Sequence, residues 1–313
     1  MTASSTTPER VVIVGGSSGM GLALAESLIA TGAQVTIAGR SAERLAAAER
    51  TLSEGPGTVR SVVADITREA DLERLFAGSE PVDHVVTTAA DVTGAYQQLD
   101  RFDADLARNL VSAKLIGPML LAKHARVVPG GSLTFTSGIA AYRPAPGGAM
   151  VAAVNGALAS LAYALAIELG PVRVNVVSPG WVDTPIWDTI AGPAKTERHQ
   201  QLAARLPVGR IGRPSDIAQA MLGVMRNPFI TGTCTWTAGI GWSDRRAAAR
   251  SGAAAITYGY KARERPATGG WKIGKDGRNS VRPVLADPER RALRVVPTHE
   301  ECWCTGILGI VAH

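Results

Sequence analysis

Val11-Val12-Ile13-Val14 runs directly into Gly15-Gly16-Ser17-Ser18-Gly19-Met20-Gly21, and a helix-forming stretch, Leu22 to Ala30, follows at once. The order is strand, glycine turn, helix. Glycine has no side chain to hold an anion away, so the amides of such a turn and the positive end of the helix dipole face one closely. A dinucleotide pyrophosphate is the guest that suits this arrangement. Glycine turns also join strands to helices with nothing bound, so the rest of the chain has to agree.

The surrounding rhythm agrees. Val35 to Ala38 precedes a helical stretch from Ala42 to Leu52, Val59 to Ala64 precedes Glu69 to Ala77, and Val82 to Thr88 precedes a long helical stretch through Lys123. Ser132 to Thr136, a helix from about Gly148 to Leu169, Val172 to Val177, a helix from Ser215 to Met225 and a last strand from Thr233 to Thr237 complete the series. Strands such as Val82-Asp83-His84-Val85-Val86 are mostly apolar rather than alternating, as expected where helices cover both faces of a parallel sheet. This predicts an α/β fold, a doubly wound parallel sheet of the Rossmann type, as a single domain over residues 1–243. At 313 residues and 46% hydrophobic, the chain can bury such a core and still carry an extension.

Past Ser243 the rhythm stops. Arg, Gly and Pro are scattered from Arg245 to Pro297 without an apolar period, so residues 244–313 read as a basic, poorly ordered C-terminal extension whose short apolar end, Gly306 to Ala312, can dock elsewhere. The extension holds 13 Lys and Arg against 7 Asp and Glu, which is the whole net charge of +6, while the first 243 residues hold 20 of each. The body therefore offers no field for a polyanion, and a nucleic-acid partner is not expected. Ile256-Thr257-Tyr258-Gly259-Tyr260, with Val284-Leu285-Ala286-Asp287-Pro288-Glu289 further on, faintly resembles a segment of large serine recombinases. A readthrough or frameshifted terminus accounts for these residues at least as well.

Cys302-Trp303-Cys304 has no second ligand pair at zinc spacing, so no metal site is expected. With Cys234, these cysteines are too few and too late in the chain to staple the fold, which suits a reducing compartment. No apolar run approaches the roughly 18 residues of a membrane span, and Met1 to Arg10 is polar, without the apolar core of a secretory signal. The expectation is a cytoplasmic protein with no membrane partner.

Further motifs follow the strands. Asp65-Ile66-Thr67 comes after the third, Thr87-Thr88-Ala89-Ala90 after the fourth, and Asn109 within the long helical stretch. Phe135-Thr136-Ser137-Gly138 ends the next strand, and Ser178-Pro179-Gly180 with Val182-Asp183-Thr184-Pro185 ends the one after. In order and spacing, these resemble the short-chain dehydrogenase/reductase family from about Arg10 to Trp242, roughly three quarters of the chain.

The resemblance implies that Gly15, Ser17, Ser18, Gly19, Met20 and Gly21 hold the pyrophosphate, although Val14 replaces the usual threonine. It implies that Asp65 and Ile66 border the adenine and that Pro179, Gly180, Val182 and Thr184 hold the nicotinamide amide. Ala89 and Ala90 keep a backbone role, but their segment departs from the family's Asn-Asn-Ala-Gly at three of four positions, which loosens the side-chain role. Ser137 and Asn109 match the serine and asparagine of the catalytic tetrad. Each has a plainer reading: Asp65 satisfying loop amides beside a helix start, Asn109 bridging backbone or water in its helix, Ser137 an ordinary hydroxyl at a strand end.

One position selects the cofactor. An acidic residue about 20 places beyond the glycine turn binds the ribose 2′-hydroxyl of NAD, whereas an arginine there accommodates the 2′-phosphate of NADP. Gly39-Arg40-Ser41 stands at that point, with Arg40 19 residues after Gly21. The planar, permanently charged guanidinium suits a phosphate, so NADP is expected over NAD, with Arg40 and Ser41 beside it. The plainer reading is a solvated arginine at a strand end.

The family's Tyr-x-x-x-Lys pair is absent. Counting 13 residues from Ser137 reaches Met150, and the lysine position is Val154; the helix that follows, through Leu169, fixes the register. In the family the tyrosine supplies the proton for carbonyl reduction, its pKa of about 10 lowered by the neighbouring ammonium. Thioether and isopropyl groups do neither. Rescue from elsewhere in the chain is not expected: no lysine lies between Lys123 and Lys195, Tyr142 falls before the helix, and His124 sits at a helix end. Ser137 and Asn109 are left beside apolar Met150, Val154, Trp181, Ile186 and Trp187, a pocket for a greasy small molecule unless the tryptophans are core or subunit contacts.

The expected function is an NADP(H)-dependent oxidoreductase with a divergent active site. The alternative is a nucleotide-binding protein without redox turnover: a sensor, a partner subunit or a non-redox enzyme. A third idea, a nucleic-acid-associated fusion, rests on the basic extension alone. The small apolar face from Asn155-Gly156-Ala157 to Ala166 suits close helix packing, so a homo-oligomer is expected.

Overall fold

The computed structural model describes residues 7–236. The expected boundary at 243/244, the basic extension with Cys302 and Cys304, and Thr237 of the last strand lie outside the described residues. Seven strands form one parallel sheet in the order β3-β2-β1-β4-β5-β6-β7: β1 Arg10–Val14, β2 Gln34–Gly39, β3 Thr58–Val63, β4 Val82–Thr87, β5 Val127–Thr136, β6 Arg173–Ser178 and β7 Thr233–Trp236. The order reverses between β1 and β4, and in open parallel sheets the crevice beyond the carboxyl ends of the strands at such a reversal is where ligands sit.

Neighbouring residues of each central strand serve different cores, which is why the strands read as unbroken apolar runs. On one face Val11, Ile13, Val35 and Ile37 meet Leu24 and Leu28 of α1 (Gly19–Ile29), Leu45 of α2 (Ala42–Leu52) and Met221 of α9 (Pro214–Arg226). On the other, Val12, Val85, Leu133 and Phe135 meet Leu72 of α3 (Glu69–Phe76), Leu121 of α5 (Gly117–His124) and Leu158 of α6 (Ala149–Glu168). Leu24, Leu28, Leu72 and Leu121 are fully buried, each worth about 1.5–3 kcal/mol against exposure.

Four differences from the sequence reading have physical causes. The long helical stretch begins only at α4 (Ala104–Val111) and passes through a π turn, Ser112–Ile116, before α5. β5 starts five residues earlier than expected, at Val127, because the turn-like Pro129-Gly130-Gly131 is absorbed by a register shift between Val82 and His84 of β4. Two helices, α7 (Ile186–Ala191) and α8 (Lys195–Arg205), were not anticipated; α8 buries no residue and so carries no apolar stripe to read. Finally, α6 is long and apolar enough by composition to cross a membrane, with 20 residues and a mean hydropathy of 1.8, which corrects the reading that no such run exists. One face of it packs on the sheet through Leu158, Ala162 and Leu165.

Candidate active site

A cleft of ≈ 740 Å³ opens at the carboxyl ends of β1 and β4. Its floor is the glycine turn. Gly15 and Gly19 adopt φ of +95° and +53°, in the region that favours glycine. Gly21 is glycine for contact: a Cβ there would stand 2.3 Å from the Gly15 carbonyl oxygen and 2.6 Å from Thr88 Oγ1. The first-turn amides of α1 have no intrahelical partner, as at any helix start, Ser18 at the N-cap makes no side-chain capping bond to them, and Ser18, Gly19 and Met20 line the cleft. A tight glycine turn packed against Thr88 and Ile37, with the start of a helix at the cleft wall, fits the diphosphate of a nicotinamide dinucleotide.

Thr88 closes the turn from the other side. Its hydroxyl donates to the Gly15 carbonyl at 3.0 Å, and the amides of Thr88 and Ala89 donate to the Val14 carbonyl at 2.9 and 3.2 Å. The side-chain role expected to loosen in Thr87-Thr88-Ala89-Ala90 is thus taken by the second threonine.

Of the residues singled out from sequence, Gly15, Ser17, Ser18, Gly19 and Met20 line the cleft, and so do Arg40, Asp65, Ile66, Ala89, Ala90, Asn109 and Thr184. Asp65 also keeps its plainer role, its Oδ1 accepting from the amide and hydroxyl of Thr67 at 2.9 and 2.8 Å. Five others do not reach the cleft wall. Gly21 lies beneath the turn. Ser41 is the N-cap of α2 and accepts from the Arg44 amide at 3.3 Å, which turns it away. Pro179 holds the Ser137 loop, its carbonyl accepting from the Ile139 amide at 2.9 Å, and Gly180 lies beside it in sequence, also off the wall. Val182 is buried in the core and bridges to Gly212.

Ser137 is the sixth. It is 5% exposed, and its hydroxyl donates to the Asn155 carbonyl on α6 at 2.9 Å. The far end of the cleft is lined by Asn109, Ser112, Ala113, Thr184, Pro185 and Ile186, none of which ionises near neutral pH. Met150 and Val154 pack in an apolar cluster with Leu110, Ala140 and the cleft residue Val92. Trp187 is core, 4% exposed, with its indole nitrogen donating to the Val182 carbonyl at 2.8 Å and Trp181 and His199 against its ring. Tyr142 turns toward β7, its hydroxyl donating to Cys234 Sγ at 3.2 Å, and His124 joins Lys123 on the carboxylate of Glu69.

Three residues escaped the sequence reading. Arg44 lines the cleft one helical turn beyond Arg40, so Arg40 and Arg44 together make its basic end; an arginine three residues after a serine cap was the available signal. Asp91 pairs with Arg40 at 3.2 Å. Burial raises the Asp91 carboxyl pKa, but hydrogen bonds from Thr93 and Arg40 outweigh it and hold the group below its ordinary value. Lys114, in the π turn, is 7% exposed, and its ammonium donates to the Ser137 carbonyl at 3.4 Å. Burial alone lowers its pKa, to about 8. The expectation of no rescue rested on the lysine-free span between Lys123 and Lys195, and Lys114 lies before that span.

Comparison with known proteins gives a uniform result. A family profile described as enoyl-(acyl carrier protein) reductase matches residues 14–239. The short-chain dehydrogenase/reductase malC of Malbranchea aurantiaca is 34% identical over 241 residues, covering 72% of this chain and 91% of the relative. L-fucose dehydrogenase of Bos taurus is 32% identical over 238 residues, covering 71% and 85%. Among solved structures, the MalC reductase/Diels-Alderase of Malbranchea aurantiaca superposes with a TM-score of 0.69 at 33% identity, covering 74% of this chain and 95% of that one. A small-chain dehydrogenase in complex with NADPH superposes with a TM-score of 0.62 at 28% identity, covering 74% and 98%.

Proposed function

The chain belongs to the short-chain dehydrogenase/reductase family of oxidoreductases, and from that premise we propose that it is an NADP(H)-dependent member with a divergent active site. The observation that carries the cofactor choice is the pair Arg40 and Arg44 at one end of the cleft, beside the glycine turn. A guanidinium fork matches a phosphate in shape and charge. The Arg40 and Asp91 side chains are 56% and 32% exposed, and such a pair is worth only about 0–1 kcal/mol, so a dianionic phosphate displaces Asp91 cheaply. A family structure that holds NADPH supports the same choice.

The bound nicotinamide supplies hydride. Ser137 polarises the acceptor once its hydroxyl leaves the Asn155 carbonyl. Met150 and Val154 exclude water and offer no proton, which suits an apolar substrate with an activated double bond or an iminium group, whose reduction tolerates a missing acid. Hydride addition to an iminium needs no proton, and the anion left by addition to an activated double bond takes its proton from an acidic group of the substrate or from solvent once the site opens.

Titration of NADPH fluorescence, with NADH alongside, tests the cofactor reading. NADPH is expected to bind at least about tenfold more tightly than NADH, and Arg40→Ala to remove most of that margin, since a charge-assisted bond to phosphate is worth about 1.5–3 kcal/mol. Equal affinities in the wild type would overturn it.

We also propose a second copy of the chain against α5 and α6. Met119 of α5 and Ile167 of α6 are 48% and 85% exposed, and Tyr163 of α6 and Ile116 just before α5 are exposed as well. Light scattering is expected to report an oligomer that Ile167→Asp converts to a smaller species; a monomeric wild type refutes it.

A further inference from the structure

The basic end of the cleft and the glycine turn fix which way a dinucleotide runs, and its ring end then falls at Ser112, Ala113 and Thr184. Lys114 follows Ala113 directly in the π turn. Its ammonium carries three donors, one of which is used on the Ser137 carbonyl. The turn packs against α4, α5 and α6. On α6, Asn155 is 2% exposed and its Oδ1 is a buried acceptor with no partner, while its backbone carbonyl takes the Ser137 hydroxyl.

Among the described residues, no carboxylate pairs with this ammonium. On α4, Asp105 and Arg108 pair with each other at the surface; on α5, Lys123 and His124 are both taken by Glu69. On α6, the titratable residues Tyr163 and Glu168 are exposed, and the loop after Ser137 contributes Tyr142, turned to Cys234, and an exposed Arg143. A buried cation without a counter-charge is costly, and a methionine of similar length would fill the space without that cost.

We propose that Lys114 is the cation of the nicotinamide end of the site, set behind Ser137 from the helix opposite the one where Val154 stands. It is a positioning residue, acting through the Ser137 backbone and through its field. A positive charge there disfavours the cationic oxidised ring and leaves the neutral reduced ring untouched, so the site holds NADPH in preference to NADP+. The inference rests on the cofactor reading above.

The charge is present below the folded pKa of about 8 and lost as the pH rises through it. The test is calorimetric measurement of NADPH and NADP+ affinity from pH 7 to 9.5, on the wild type and on Lys114→Met. At pH 7 the preference for NADPH is expected to be about tenfold greater in the wild type than in the variant, the scale of one charge at several ångström in a partly screened site. The wild-type ratio then falls across pH 8 toward the flat ratio of the variant. A purely structural lysine would move both affinities together. The wild-type profile stands even if the variant fails to fold. A wild type that binds both coenzymes with a flat ratio overturns this inference alone; one that binds neither overturns the cofactor reading with it.

Discussion

Met150→Tyr combined with Val154→Lys is expected to raise ketone reduction by about 10²- to 10⁴-fold over the wild type, the usual contribution of a positioned general acid. Both side chains belong to one apolar cluster that also contains the cleft residue Val92, and positions 150 and 154 lie on one face of α6 because i and i+4 align. The tyrosine hydroxyl would stand near the ring end of the cleft, and the ammonium one turn on would lower its pKa. Met150→Tyr alone should recover less, since its proton stays near the ordinary pKa of about 10. The measurement is NADPH oxidation against a panel of ketones, wild type beside the single and double variants. A gain confined to the double variant means that the natural site is assembled but lacks its acid, which strengthens the case for a nucleotide pocket used without ketone turnover. A double variant that folds, binds NADPH and stays inert would refute the placement of α6 against the reacting end.

The second large effect is expected at Gly21, which touches no ligand. A methyl group at this position meets the Gly15 carbonyl at 2.3 Å, a distance real Cβ atoms essentially never show, and neither partner is the free end of a flexible chain. Gly21→Ala must therefore push α1 away from the glycine turn. Overpacking of this kind costs about 1–3 kcal/mol, and the amides at the start of α1 move with the helix. Gly32→Ala is the control: its φ of +82° strains an alanine, but nothing lies within 4 Å of the added carbon. Thermal melting should register a loss for both variants, and NADPH titration a loss only for Gly21→Ala. Binding by Gly21→Ala at wild-type affinity would show that the turn is not the phosphate cradle.

Much of the architecture was readable because its signals are local. Val11 to Val14 has to be buried on both faces, Gly15 and Gly19 have to supply positive φ, and the alternation of strands and helices leaves a doubly wound sheet as the economical packing. Local signals also mislead. Pro129-Gly130-Gly131 has turn chemistry, yet it lies inside β5 as a bulge between the pairs Val82–Val127 and His84–Ser132. α8 was invisible for the opposite reason: it buries nothing, so no apolar period marks it.

The site divides the same way. The glycine turn, Arg40, Asp65 and Asn109 stand in the cleft as read, because their places follow from strand ends and helix starts. Ser41 and Val182 do not, since a capping bond and a core contact claim them first. No motif announced Asp91 or Lys114. Lys114 carries no signal in the spacing of α6, because it stands in the π turn of a different helical stretch.

What the amino-acid order determined alone was the sheet, the glycine turn, the placing of Arg40 at the end of the second strand, and Met150 and Val154 four residues apart on one helix. Each is a property of residues within a few positions of one another. The tertiary structure decided the partner of Arg40, 51 residues away, and the burial of Lys114 against a carbonyl 23 residues on. It also turned the Ser137 hydroxyl onto α6. Those outcomes depend on which distant segments the assembled sheet brings together, and a buried charge acquires its chemistry only when packing removes the water around it.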